Sequence, residues 1–174
     1  MAISDELRRI YASNPTDKFY VETISLAHPV FENGISYFTN QNGGWVGNLE
    51  AGGQAAYQYL PFVTLPPASE DEAALTLQVT MDNSSRTLME TLEFMGTTPQ
   101  QPIEVVYRIY IGTVTGGTVQ QSPILQNDPP LRLWVSSVLA TQDAVSFSAT
   151  TSNLRDLPFP RQLYTTGLYP GLER

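Results

Sequence analysis

The chain has no cysteine and one histidine among its 174 residues. The first absence removes a disulfide framework and any thiolate metal centre. The second leaves little to build a nucleophilic relay around, because Ser-His-Asp and Cys-His arrangements need an imidazole in a defined place. His28 stands before Pro29 at the end of an apolar run, where a histidine is structural or merely exposed. Basic residues are also scarce: 9 Lys and Arg stand against 17 Asp and Glu, for a net charge of −8. Phosphate backbones are bound through a basic footprint, so no direct nucleic-acid affinity is expected, and no docking on an anionic membrane. Charged residues make up 15% of the chain, below the ~25% of ordinary globular proteins. No apolar run reaches membrane-spanning length. The opening Met1 to Ile10 places acids early and has no apolar core, so no signal peptide is expected.

Motifs of chemistry are missing too. There is no Gly-x-Gly-x-x-Gly or phosphate loop, and Gly43-Gly44 and Gly52-Gly53 read as turns. Asp82, Asp128, Asp143 and Asp156 are scattered, and Glu70-Asp71-Glu72 lacks the glycine and spacing of a calcium loop. We therefore expect no enzyme, no metal and no cofactor. Trp45, Trp134 and 9 tyrosines could form a platform for sugar rings, but we read them as core and interface packing.

What is present is strand pattern. Pro130 to Thr141 alternates Leu131, Leu133 and Val135 with Arg132, Trp134 and Ser136. After Gln142-Asp143, Val145, Phe147 and Ala149 alternate with Ser146, Ser148 and Thr150, so the two runs read as a hairpin. Further strands are expected at Phe19–Ala27, Ile35–Thr39, Leu75–Met81 and Ile103–Ile111. Tyr57–Leu65 reads as an edge or bulged strand, because Pro61 interrupts it. The stretches around Asn40–Trp45, Gly52-Gly53 and Gly116-Gly117 read as loops. Ser4 caps a first helix with Asp5 and Glu6 in its first turn, and Ile3, Leu7, Ile10 and Tyr11 share a stripe. Asn14-Pro15 ends it. A second short helix is expected over Ser85–Met95, ended by Gly96.

The expected fold is mostly β, a β-sandwich or partly closed β-barrel with two short helices. We read residues 1–174 as one domain, with an N-terminal helix at 1–14 and an extended C-terminal arm at 151–174. At this length about 70% of the unfolded surface can be buried without a covalent staple. Leu77, Val79, Val105, Tyr107, Ile109, Leu133, Val135, Val145 and Phe147 are expected in the core. Residues 151–174 are rich in Pro and Gly yet carry Phe159, Leu163, Tyr164, Leu168 and Tyr169. Disordered tails usually lack such residues, so these five form the candidate assembly interface.

The order of the strands resembles a family of phage and prophage proteins encoded among tail genes. The match runs through Phe19–Leu26 and His28-Pro29, Ile35–Asn40, Tyr57–Phe62, Leu75–Asp82, Pro102–Arg108, Val145–Thr150, Asn153-Leu154 and Phe159-Pro160. It is similar, more distantly, to the N-terminal part of the L minor tail protein of bacteriophage lambda and to the baseplate hub proteins of gene transfer agents. The resemblance covers roughly Phe19 to Tyr164. It implies a structural virion protein of the tail tip, assembled in the host cytoplasm. Its partners would be the distal tail protein, the tail tube and a central fibre or spike. It implies self-association as a ring, threefold by resemblance to hub proteins, with sixfold open. The lambda-like relatives hold an iron–sulfur cluster in a cysteine-rich region that has no counterpart here, so no cofactor is implied. The alternative from a different class is a carbohydrate-binding β module contacting the host surface.

Overall fold

A computed structural model describes residues 2–29, 31, 34–65, 75–82, 102–141 and 143–151. The second helix expected at Ser85–Met95, the acidic loop at Glu70-Asp71-Glu72 and all five candidate interface residues lie outside the described residues.

The chain begins with β1 (Ala2–Ile3) and α1 (Asp5–Ser13). It continues through β2 (Lys18–Ala27), β3 (Ile35–Thr39), β4 (Trp45–Asn48), β5 (Gln54–Tyr59) and β6 (Phe62–Leu65). Then come β7 (Thr76–Asp82), β8 (Glu104–Thr115), β9 (Thr118–Gln121), β10 (Asn127–Asp128), β11 (Leu131–Ala140) and β12 (Ala144–Thr150). The protein is mostly β, with one short helix among the described residues. The main sheet runs β4-β5-β3-β2-β8-β11-β12-β7-β6, with β9 added to the far end of β8. β1 and β10 form a separate short ladder. The main sheet is not closed. Neighbours are antiparallel except β3 and β5.

The spine is β2 against β8, a ladder unbroken from Lys18↔Thr113 to Ala27↔Glu104. Period two then assigns the faces. On the inner face lie Ile24, Leu26, Val105, Tyr107 and Ile109. They pack with Leu77, Val79, Met81, Leu133, Phe147 and Ala149 into the main core. Eight of the nine positions expected in the core are buried. Val135 is only partly buried, where β11 shifts register against β12.

Leu60 and Pro61 tie the two flanks of the sheet together. Leu60 N–H donates to Thr39 O at 3.0 Å, and Pro61 O accepts from Asp82 N–H at 2.9 Å. The expected strand at Tyr57–Leu65 is thus two strands that part at the proline, since Pro61 has no N–H for a ladder. β5 sits between β4 and β3, and β6 is the edge.

The helix starts as its sequence dictates. Ser4 Oγ accepts from Leu7 N–H at 3.1 Å. Asn14, in the left-handed region at φ 42°, ends it by donating its N–H to Ile10 O. Leu7 and Ile10 are buried against the sheet, so α1 covers the fold. Tyr11, expected on the same stripe, is exposed.

Four strands were not expected, the two-residue β1 and β10 among them. β4 lies in the stretch read as a turn-rich loop, and β9 follows Gly116-Gly117. Both of those glycines have positive φ and join Thr115 to its partner Thr118. That is the two-residue geometry of a tight hairpin, which matches strand twist.

Candidate assembly surface

The outer face of the sheet is half covered. The β4–β5 hairpin folds over β2 and β8 and buries Trp45, Ala55 and Tyr57 against Val21 and Tyr110. Tyr57 and Tyr110 meet edge to face with centroids 5.8 Å apart, and Trp45 lies 6.3 Å from Tyr110. Tyr110 Oη donates to Asn48 O at 2.9 Å. Burial, then its hydrogen bond and proximity to Tyr57, push the Tyr110 phenol well above its usual pKa. The packing leaves no room on β4 at Gly47, where a Cβ would stand 2.4 Å from Cζ of the Tyr110 ring. Gly47→Ala is therefore expected to cost about 1–3 kcal/mol by overpacking. A urea midpoint equal to wild type would show that the hairpin can lift away freely.

Beneath the hairpin tip sits an ion network that the sequence reading did not anticipate. Arg108, 5% exposed on the outer face of β8, donates Nε and Nη2 to the two oxygens of Glu50 at 2.9 and 3.0 Å. Its Nη1 reaches Ser25 Oγ at 2.8 Å. Arg132 on β11 bridges Glu50 to Glu104, at 2.8 Å from the latter. Glu50 is placed by its loop, where Leu49 N–H donates to Gly53 O and Gly52 N–H to Leu49 O. Burial raises the Glu50 pKa, but hydrogen bonds from Arg108 and a backbone N–H, with the charges of Arg108 and Arg132, outweigh it and hold the carboxyl below its ordinary 4.5.

A carboxyl depressed in the folded state contributes stability that is complete above its unfolded value and drains away as pH falls through the folded value. The network should thus weaken below the ordinary 4.5. We expect the urea midpoint of the wild type to fall more steeply than that of Glu50→Gln from about pH 5 to about pH 3. Parallel curves would remove Glu50 from the acid response.

Among the described residues, no second layer covers the remainder of the outer face, over β11, β12, β7 and β6. The register aligns Leu139, Ser146, Thr80 and Val63 in one row and Ser137, Ser148, Gln78 and Leu65 in the next. Trp134, Thr150 and Thr76 start a third. On β11, β12, β7 and β6 no charged side chain stands in these rows, which are bordered by Arg132 and by Glu104 of β8 at one end and Asp82 at the other. Leu139, Val63 and Leu65 are exposed at the rims.

At the inner face, Glu22 Oε1 accepts from Tyr107 Oη and from Thr64 Oγ1, both at 2.7 Å. Burial, then the Glu22 charge and hydrogen bond, push the Tyr107 phenol far up. His28 is buried where β2 ends, its backbone N–H donating to Gly34 O.

Together these features define a mostly β protein with one open main sheet, buried on both faces of its centre and, among the described residues, uncovered over one flank. The chain belongs to the family described as Domain of unknown function (DUF1833), whose model matches residues 6–164. No curated protein matches the chain.

Proposed function

We propose that the protein is a structural subunit of the tail tip or baseplate hub of a long-tailed phage. It joins the ring of distal tail protein to the central fibre or spike and works by assembly. The observation that carries this reading is the uncharged outer flank of β11, β12, β7 and β6. A chain of net charge −8 repels copies of itself wherever its acids face one another. Surface without charge escapes that repulsion, and interface cores are depleted of charge in the same way. The resemblance of the strand order to tail-gene proteins supports the same reading. The carbohydrate-binding alternative wants Trp and Tyr clustered on an accessible face. Trp45, Tyr57 and Tyr110 are instead buried under the β4–β5 hairpin, and of the exposed rings Trp134 stands on the outer face while Tyr11 and Tyr20 pair on the other side, so Trp and Tyr share no single platform.

Electron microscopy of virions tests the proposal. The expected result is density for this fold as a ring about the tail axis, next to the distal tail protein, with threefold or sixfold symmetry. Intact infectious virions that contain no copy of the chain would overturn it.

A further inference from the structure

We propose that the open edge of β6 and the carboxylate of Glu22 form a docking groove for the C-terminal segment of a second copy. In it Arg161 sits on Glu22 beside Tyr11 and Tyr20. The proposal rests on the reading of the protein as a ring-forming subunit, and names the contact that links one subunit to the next.

The edge comes first. Among the described residues β6 has one ladder partner, β7. Val63 is 68% and Leu65 61% exposed on its outer face. Natural edge strands are usually guarded by charge or a bulge. Phe62–Leu65 carries neither, and Thr64 is turned inward to Glu22. A strand of this kind is a template for an added strand.

Glu22 supplies the second, independent observation. The ion-paired acids Asp5, Glu6, Glu50 and Glu104 each have a cation within 4 Å. Glu22 is held by neutral donors alone among the described residues. Among the described residues its Oε2 has a single long contact, Asn40 Nδ2 at 3.4 Å. That oxygen is short of a strong donor, and an incoming guanidinium would provide one. Tyr11 and Tyr20 stand beside it, 57% and 44% exposed, with ring centroids 5.4 Å apart. A carboxylate flanked by exposed aromatic faces suits arginine, which pairs with the one and stacks on the other.

The occupant follows from charge and chain length. Arg8, Lys18, Arg108 and Arg132 are already matched. Of the other five of the chain's 9 basic residues, Arg9 lies within α1, Arg86 lies outside the described residues, and Arg155, Arg161 and Arg174 follow Thr151. Arg155 precedes Asp156, and Pro158 and Pro160 donate no ladder bond. The first longer run free of proline and glycine is Arg161-Gln162-Leu163-Tyr164-Thr165-Thr166. Laid antiparallel on β6, it turns Arg161 and Leu163 toward Glu22. Gln162 and Tyr164 then lie beside Leu65 and Val63.

The donor is a neighbour. Thr151 N–H donates to Leu75 O at 3.1 Å, which fixes where the segment leaves the sheet. The chain's own β6 is two strands from β12, about 10 Å away. The ten residues from Thr151 to Arg161 reach roughly 33 Å when extended, and Pro158 and Pro160 stiffen them. That is long for a step of two strands and suited to the next subunit.

The absence of cysteine makes the test clean. Full-length Val63→Cys and Tyr164→Cys chains are mixed, oxidised and run on non-reducing gels. Leu65→Cys with Gln162→Cys serves as the second pair. The expected result is a disulfide-linked dimer in each mixture, and a ladder of higher species from chains carrying both cysteines. No cross-link, or one that closes only within a doubly substituted chain, would overturn the proposal. Glu22→Arg and Arg161→Glu should each weaken self-association about tenfold, and the double variant should restore it. Failure of the double variant to recover would dismiss the Arg161 contact. Cross-links in purified protein from a chain that virions do not contain would leave the groove standing and remove the tail reading; the reverse result would do the opposite.

Discussion

Glu50→Ala is expected to destabilise the protein by about 3–5 kcal/mol, a large part of the roughly 5–15 kcal/mol that holds a domain folded. The reason lies in what remains. Arg108 is buried between β2 and the β4–β5 hairpin, and both oxygens that satisfy its Nε and Nη2 belong to Glu50. Without them a desolvated guanidinium keeps one hydroxyl, that of Ser25. Arg132 retains Glu104 and half its solvent exposure, so it adds little to the loss. The same argument makes the double variant Glu50→Ala/Arg108→Met nearer to wild type than the single one. Replacing both members of a buried pair with apolar groups is often close to neutral. Urea unfolding of the two singles and the double gives the coupling between them. A single-variant loss under about 1 kcal/mol would put the pair in the class of exposed bridges such as Lys18–Glu6.

That network marks where sequence reading stopped. The spine was legible: Ile103–Ile111 alternates so clearly that its inner face, Val105, Tyr107 and Ile109, could be assigned without coordinates. Its other face carried a signal as well. Val106 and Tyr110 flank Arg108 at period two, and a strand apolar on both faces is covered on both. An arginine set between them must be paired. Nothing local identifies Glu50 as the partner, because it arrives from a loop 58 residues away, placed by the fold of the β4–β5 hairpin. β4 itself was hidden by its composition. Trp45-Val46-Gly47-Asn48 is short and follows five turn residues, and its glycine is there because the Tyr110 ring occupies the space of a side chain. β9 was readable in principle, since Gly116-Gly117 is a two-residue hairpin signal. The exposed rows of β11, β12, β7 and β6 were visible as Ser and Thr alternating with apolar residues. That they form one uncharged face depends on strand order, which alternation does not give. The five apolar residues first chosen for the interface, Phe159, Leu163, Tyr164, Leu168 and Tyr169, lie outside the described residues. What the structure adds is the β6 edge and the Glu22 carboxylate, on which the proposed docking of such a segment rests.

The largest effect of all is expected at Leu77, and a control one strand pair away should make it interpretable. Leu77 on β7 is fully buried, paired with Ala149 and surrounded by the main core. Truncation to alanine there would cost about 2–5 kcal/mol through lost contacts and a residual cavity. Leu77→Asp goes further, because the new carboxylate has no donor and no cation in that core. It must stay protonated at a cost or drag water inward, and either penalty comes on top of the truncation. The sum rivals the whole stability of a domain, so Leu77→Asp is expected to yield no cooperatively folded protein. Leu139 lies on β11 of the same sheet, on the outer face and 67% exposed. Leu139→Asp should unfold within about 0.5 kcal/mol of wild type. Circular dichroism and a urea titration of the two variants, side by side, decide the matter. A folded Leu77→Asp would mean that β7 presents its other face to the core, and with it the outer rows assigned to assembly would turn inward.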